Sequence, residues 1–310
     1  MIQAIAAAKI NLSLRVASRQ ASGLHRIDGI FQSISWTDRL EAGFASEDTL
    51  RSAGGGEVIA GWDNLAWQAV AEVRRLARTR RPVELVLDKA IPAAAGLGGG
   101  SADAAAALAI GGQLFGIERD ALDGLTAALG SDVPFCFAGG TAVVGGTGQE
   151  VRPLAPAAGF GVAVVVPPIE LATGAVYAKW DELGEPRGES PPDRTLPPAL
   201  RGVGPLANDL LPAAFAVNPL LGEWRSELAT RWSRPVLLTG SGPTLFAFFI
   251  DEAEAGAAIE DTPPGARGKS AAIPVPFGWA IRRGAGPVMP SGPVDPEMTR
   301  LIAAILDAGS

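Results

Sequence analysis

The stretch Pro92-Ala93-Ala94-Ala95-Gly96-Leu97-Gly98-Gly99-Gly100-Ser101-Ala102 is built almost wholly of small residues and runs from a strand-like segment into an alanine-rich one. Small side chains let a backbone wrap closely around a ligand. Free N–H groups at a helix N-terminus bind anions with the help of the helix dipole. Together these features suit a di- or triphosphate. The Gly-Lys-Ser/Thr ending of a P-loop is absent. Gly96-x-Gly98 matches the start of a dinucleotide fingerprint, but Ser101 replaces its third glycine. A tight strand-to-helix turn with no ligand would use the same residues.

Three further segments carry chemistry-bearing residues, and each has two readings. Asp132, in Gly130-Ser131-Asp132-Val133-Pro134-Phe135, sits after a helix end and before an apolar run. A carboxylate there accepts a proton from a substrate hydroxyl, or simply serves the turn. Lys9 lies in an otherwise apolar strand segment. It either snorkels out of the sheet or neutralises a phosphate or a carboxylate. The loop Leu238-Thr239-Gly240-Ser241-Gly242-Pro243-Thr244-Leu245-Phe246 is rich in small residues and lies between strands, where a plain hairpin turn would look the same.

These segments belong to a chain of 310 residues, 47% hydrophobic and 19% charged, with one histidine, His25, and one cysteine, Cys136. One of each cannot build a zinc cage of nitrogen and sulfur ligands, an iron–sulfur cluster or an intramolecular disulfide. A Ser–His–Asp hydrolase would have to use His25 itself. The net charge of −7 and the pI of about 4.9 argue against a surface that tracks nucleic-acid backbones. No stretch approaches the roughly 20 apolar residues of a membrane span. Met1–Ala8 is too short for a signal peptide and lacks its cationic start. The expectation is a cytoplasmic protein with a small-molecule substrate, no nucleic-acid or membrane partner, and a monomeric or homodimeric state. Cys136, between Phe135 and Phe137, reads as a buried small hydrophobe.

The elements that position these residues follow from periodicity. Ile10, Leu12, Leu14 and Val16 alternate with Asn11, Ser13 and Arg15, which predicts strands within 2–16, read as two short ones. A third strand covers His25–Ser35, and Gly54-Gly55-Gly56 marks a loop. Asp63 caps a helix from Leu65 that ends in the basic stretch Arg74–Arg81, a solvated helix end. Val83–Leu87, Thr141–Val144, Phe160–Val166, Val236–Leu238 and Leu245–Ile250 read as strands. Ser101–Leu114, Asp120–Leu129, Asn208–Val217, Pro219–Thr230 and Glu252–Glu260 read as helices, and Gly184–Pro205 as a surface loop. A linker after Gly284 ends at Asp295-Pro296, the cap and first position of a last helix. Its stripe of Met298, Leu301, Ile302, Ile305 and Leu306 is expected to pack on the body or on a partner chain. Pro153, Pro156 and Gly159 mark a boundary between units 1–153 and 154–284, with a tail 285–310.

Taken in order, Ala8-Lys9-Ile10-Asn11-Leu12, Gly23-Leu24-His25 with Phe31-Gln32, Asp63-Asn64-Leu65, Gly96–Ser101, Gly130–Pro134, Asn208-Asp209-Leu210 and the Gly240 loop resemble the GHMP kinases, named after galactokinase, homoserine kinase, mevalonate kinase and phosphomevalonate kinase. The likeness spans residues 8–250 and is strongest to the branch whose acceptor is a cytidine diphosphate-linked methylerythritol. The resemblance implies an α/β (α+β) fold of two domains, the first like ribosomal protein S5 domain 2 and the second ferredoxin-like. It implies phosphoryl transfer from ATP, with Mg²⁺, to the acceptor's 2-hydroxyl, a step of the non-mevalonate route to isoprenoid precursors. On that pattern Lys9 and Asp132 are catalytic, with Asp132 as the base. Asn64, Pro92, Ala94, Gly96, Leu97, Gly98, Gly99, Gly100 and Ser101 would contact ATP. Asn11, Leu24, His25, Asp132, Thr173, Tyr177, Gly240 and Ser241 would contact the acceptor, His25 by hydrogen bonding to cytosine and Tyr177 by stacking on it. Leu24 stands where the pattern has a tyrosine, so an apolar contact replaces one of two stacking rings. The pattern assigns no protein metal ligand.

Phosphoryl transfer is mostly positioning and charge neutralisation. A carboxylate, a lysine, backbone amides and Mg²⁺ can supply both in an acidic protein. Other readings use the same residues: a GHMP kinase with a mevalonate- or homoserine-type acceptor, a non-catalytic nucleotide-binding relative, or a dinucleotide-binding oxidoreductase with an acidic ribose contact near Glu118 or Asp120.

Overall fold

The structure, a computed structural model, describes residues 1–54, 61–283, 286–288 and 296–307. The chain begins with two long strands, β1 (Ile2–Arg19) and β2 (His25–Phe44), followed by β3 (Thr49–Ser52), α1 (Leu65–Leu76), β4 (Val83–Asp88) and α2 (Gly99–Phe115). Next come α3 (Arg119–Leu129), α4 (Val133–Ala138), β5 (Thr141–Gly145), β6 (Glu150–Pro153), β7 (Gly161–Val166) and α5 (Thr173–Glu182). Then follow α6 (Leu211–Val217), α7 (Leu220–Trp232), β8 (Leu237–Leu238), β9 (Leu245–Phe249) and α8 (Glu252–Glu260). The described chain ends with β10 (Gly268–Ala272), β11 (Trp279–Arg283), β12 (Gly286–Val288) and α9 (Pro296–Asp307).

The first sheet has the order β12-β11-β1-β2-β4-β3, with β5 added to β2 and β6 to β5. Its pairs are antiparallel except β3 with β4. The second sheet, β10-β7-β9-β8, is antiparallel throughout. An apolar cluster joins the two: Ile10 and Leu12 of β1 and Ile34 of β2 meet Val162, Val164, Phe246 and Phe248. On the first sheet α2 packs against α1 and β1. Its buried alanines, Ala102 and Ala104–Ala107, have no bulk to hold it away, and a Cβ added at Gly111 would stand 3.1 Å from Val73.

β1 is one 18-residue strand, where the alternation suggested two. Its register against β2 shifts at Ala7/Ala8, Asn11/Ser13 and Val16/Arg19. Such shifts reverse which side chains face inward, and in the sequence they look like a strand ending. β2 likewise runs beyond Ser35 to Phe44, with Trp36, Asp38, Leu40 and Ala42 buried on one face. A buried aspartate in that row hides its period. The helix after residue 64 is capped by Asn64, not Asp63: Asn64 Oδ1 accepts from the N–H groups of Ala66 (3.0 Å) and Trp67 (3.2 Å), while Asp63 ends a short 3₁₀ turn. α6 starts at Leu211 rather than Asn208, because the side chains of Asn208 and Asp209 are engaged with neighbouring loops and β1. The sequence reading assigned no element to β3, α4, α5, β6, β10, β11 or β12.

α9 packs on the body: Ile302, Met298 and Leu301 meet Ile5, Ala7, Val275, Phe277 and Ala280. The expected cap Asp295, the side chains of Ile305 and Leu306, Gly55, Gly56 and Gly284 lie outside the described residues. β11 carries the chain back to the first sheet, with Ile281 opposite Ala4.

That return is tight. Gly139, at φ 71° just after α4, would bring a Cβ to 1.8 Å from the Gly278 nitrogen. Gly139→Ala is therefore expected to destabilise the fold by about 3 kcal/mol, through backbone strain and overlap together. A lower urea midpoint at unchanged slope would register it; a wild-type midpoint would contradict so close an approach.

Candidate active site

Two adjoining cavities share Gly96 and Asp132 in their walls. The larger, about 420 Å³, is bounded by β1, the start of β2, α5 and the Gly240 loop. The smaller, about 300 Å³, lies between Asp63–Leu65, Lys89 and the loop Pro92–Ser101. The sequence segments with chemical potential are separated by up to 230 residues or so in the chain, yet they line one continuous site.

At the junction, Lys9 is only 3% exposed, and its Nζ stands 3.6 Å from Asp132 Oδ2. It does not snorkel. Nζ donates to Asn11 Oδ1 (3.0 Å) and lies 5.3 Å from the centre of the Phe31 ring. The Lys9 backbone N–H donates to the Leu97 carbonyl (2.9 Å), which fastens β1 to the glycine loop. Thr239 Oγ1 donates to Asn11 Oδ1 (2.9 Å) and accepts from the Asn11 N–H (3.0 Å). With Oδ1 taken by two donors, Nδ2 is the polar atom that Asn11 has left to offer a ligand. Asp132 precedes α4 but makes no side-chain capping bond, so its carboxylate is not spent on the turn.

The glycine loop reaches the same point. Gly96 has φ 80°, and a Cβ there would stand 2.9 Å from the Thr239 carbonyl and 3.0 Å from that of Gly242. Gly98, at φ 70°, takes the cap position of α2, and a Cβ there would press on the Lys9 stem at 3.0 Å. Glycine is needed at both. Beyond Gly98, the first-turn N–H groups of Gly99, Gly100 and Ser101 have no intrahelical acceptor. Asn64, Pro92, Ala94, Gly96, Gly98, Gly99, Gly100 and Ser101 all line the smaller cavity. Leu97 does not: its side chain is buried in the cluster between the sheets. The Gly240 loop joins two paired strands, β8 and β9, and also faces the larger cavity.

Below the loop, Lys89 bridges two carboxylates, those of Asp38 and Asp103 (2.5 Å to the latter). Burial alone would disfavour its charge, but Asp103 and Asp38 outweigh this and hold its pKa above the ordinary value. Burial pushes the Asp103 carboxyl up to about 7, against the pull of Lys89. Asp103 Oδ1 is buried and meets no hydrogen-bond partner, although Asp103 lines the smaller cavity. Cys136 is buried nearby with its thiol pKa pushed upward by burial, as a packing residue should be.

At the far end of the larger cavity, His25 is enclosed by α5. Its Nε2 is 2.8 Å from Asp181 Oδ1. Its ring stacks on Tyr177 with centroids 5.0 Å apart and planes 30° apart, and meets the edge of Trp180 at 5.6 Å. Burial, then the negative charge of Asp132, pushes the Tyr177 phenol up to about 12, so the ring stays neutral. Asn11, Leu24, His25, Thr173, Tyr177, Gly240 and Ser241 all line this cavity, with Leu24 57% exposed. Thr173 and Ser241 share a hydroxyl–hydroxyl bond of 3.0 Å. Arg19 adds a guanidinium to the wall, its Nε donating to the Gly23 carbonyl (2.8 Å).

Sequence reasoning passed over Asp181, Arg19, Lys89 and Asp103, and quoted Thr239 only as a member of the Gly240 loop. Asp181 could have been found as the residue one helical turn after Tyr177, and Asp103 as a lone acid in an alanine-rich helix. Among the described residues no group of three or more His, Cys, Asp or Glu side chains is set to hold a metal ion, and no helix is long and apolar enough to cross a membrane.

Comparison with known proteins gives a consistent result. The family model described as GHMP kinases N terminal domain matches residues 64–140. The chain is 36% identical over 305 residues to 4-diphosphocytidyl-2-C-methyl-D-erythritol kinase of Nocardia farcinica, covering 94% of this chain and 96% of that one. It is 38% identical over 253 residues to the protein of the same name from Moorella thermoacetica, covering 78% and 88%. A crystal structure of 4-(cytidine 5'-diphospho)-2C-methyl-D-erythritol kinase aligns with TM-score 0.71 and 29% identity over 91% of this chain and 100% of that chain. A mevalonate kinase crystal structure, at TM-score 0.61 and 12% identity over 88% of this chain and 99% of that one, shares the fold alone.

Proposed function

The chain belongs to the GHMP kinases, in the branch of the 4-diphosphocytidyl-2-C-methyl-D-erythritol kinases, and we propose that its two joined cavities perform that branch's reaction. ATP occupies the smaller cavity and 4-diphosphocytidyl-2-C-methyl-D-erythritol the larger. The acceptor's 2-hydroxyl oxygen attacks the γ-phosphorus, the bond to the β-phosphate oxygen breaks, ADP leaves, and the hydroxyl proton passes to Asp132. One observation carries this reading: Asp132 lines both cavities and has the Lys9 ammonium 3.6 Å away. That is where a base must stand to serve a hydroxyl on one side and a phosphoryl group on the other.

Each neighbour has a task. Lys9 opposes the negative charge gathering between Asp132 and the phosphates. Asn11 Nδ2 donates to the acceptor and fixes the direction of its hydroxyl. The N-terminus of α2 holds phosphate oxygens through N–H groups and the helix dipole. Arg19 supplies a cation for the acceptor's diphosphate, since Lys9 is already bound to Asp132 and Asn11. The Ser101 hydroxyl and the unpartnered Asp103 oxygen give the ATP cavity hard oxygen donors, which suit Mg²⁺ held directly or through its retained waters. When bound, Mg²⁺ would offset phosphate charge. The same proposal places the enzyme in the cytoplasm and divides the chain at 153/154, with Trp279–Arg283 counted with the first unit.

The acceptor's base would lie at the His25 end. Tyr177 and Leu24 line the cavity beside His25, so a cytosine with its edge on the imidazole would stack on the part of the Tyr177 ring that His25 leaves uncovered, with Leu24 as an apolar wall. His25→Ala is expected to raise the acceptor's KM about tenfold, the usual worth of one hydrogen bond to a polar ligand edge. The KM for ATP should stay near wild type. Equal rises in both would remove His25 from base recognition.

Purified protein with ATP and Mg²⁺, assayed for ADP release against a panel of acceptors, tests the function directly. Release is expected with the cytidine diphosphate-linked acceptor and not with mevalonate or homoserine. Turnover of either of those instead would retain the kinase and reject the substrate.

A further inference from the structure

Three side chains from one face of α5 close on the only histidine in the chain. Tyr177, Trp180 and Asp181 are spaced i, i+3 and i+4, which puts them side by side on a helix. Tyr177 covers a face of the His25 ring, Trp180 meets it edge-on, and Asp181 Oδ1 lies 2.8 Å from Nε2. Trp180 is fully buried, with its indole N–H donated to the Pro186 carbonyl (3.0 Å), so this part of the helix is fixed. The imidazole is thus held in place and orientation by three side chains of α5. His25 and Asp181 both line the larger cavity.

We propose that Asp181 is a positioning residue that sets the hydrogen-bonding sense of His25 and so selects an aminopyrimidine over an oxopyrimidine base. An ionised carboxylate only accepts hydrogen bonds, so the nitrogen facing it, Nε2, carries hydrogen. In the neutral ring Nδ1 is then hydrogen-free and acts as an acceptor. An acceptor in this wall pairs with an exocyclic amine N–H, as cytosine has, and opposes the carbonyl oxygen that uracil carries at the same position. The inference rests on the proposal that the base of the acceptor lies against His25.

CDP and UDP serve as probes, with dissociation constants measured by calorimetry on wild type, Asp181→Ala and Asp181→Asn. Wild type is expected to bind CDP at least about tenfold tighter than UDP, the worth of one satisfied against one opposed hydrogen bond. Asp181→Ala should weaken CDP by about tenfold and bring the two constants within about threefold of each other. With the full acceptor, its KM should rise while kcat at saturation and the KM for ATP stay at wild-type values, a split that general loosening of the site would not produce. Asp181→Asn keeps the volume but can donate or accept at Nε2, so it permits both tautomers. It should melt like wild type and still lose the preference. A CDP preference that survives in both variants overturns the role of Asp181 and leaves base recognition intact. A wild type that binds UDP as well as CDP overturns both.

Discussion

Asp132→Asn is expected to lower kcat by about 10³-fold while leaving the KM for ATP near wild type, within the range usual for losing a general base. Asparagine has the same shape but no basic oxygen to take the hydroxyl proton. What remains is the positioning of two substrates by the loop, α2 and the acceptor wall. The fold should be little affected, because Asp132 accepts no capping bond from α4 and its side chain is 31% exposed. Rates of ADP release at saturating substrates, with thermal melting alongside, check both parts. A variant that keeps near-wild-type kcat would remove Asp132 from proton transfer.

Lys9→Met carries the second largest expected effect, a drop in kcat of about 10²-fold, comparable to removing one charged stabilising group from a preorganised site. Methionine keeps the apolar stem that packs near Gly98 and Phe31 but takes away the ammonium between Asn11 and Asp132. Asn11 then loses one of the two donors that orient its amide, so the acceptor's KM should rise as well. The sharper check is the double variant. In the proposed mechanism Lys9 and Asp132 would act as one unit on the hydroxyl, and effects within such a unit are far from additive. Lys9→Met with Asp132→Asn is expected to cost little more than Asp132→Asn alone. Fully additive losses would mean that the two residues serve separate steps.

Much of this site was legible before any coordinates. The run of small residues from Pro92 to Ser101 has few physical uses other than close backbone approach, and Gly96 and Gly98 do take the positive φ that such approach needs. The fold class and the ordered motifs also carried over through the resemblance. What stayed hidden shares a cause. β1 and β2 are longer than their periodicity suggests, because register shifts and buried polar residues break the alternation from which strands are read. α5 escaped because only Val176 and Trp180 face the core, while Thr173, Tyr177 and Asp181 are turned toward a cavity, which leaves too short an apolar stripe to read as a helix. The Asp38–Lys89–Asp103 group unites three charges from separate segments. Each one singly resembles an interruption of an apolar pattern, and only folding brings them together.

The most direct measurement is phosphorus NMR on the complete reaction: this protein, ATP, Mg²⁺ and 4-diphosphocytidyl-2-C-methyl-D-erythritol. The two cavities meeting at Asp132 require one new phosphomonoester signal on the acceptor's methylerythritol, coupled to its 2-position, for every ADP formed, and no ADP when the acceptor is left out. ADP formed at the same rate without the acceptor, or a phosphate attached elsewhere on it, would contradict transfer across that junction.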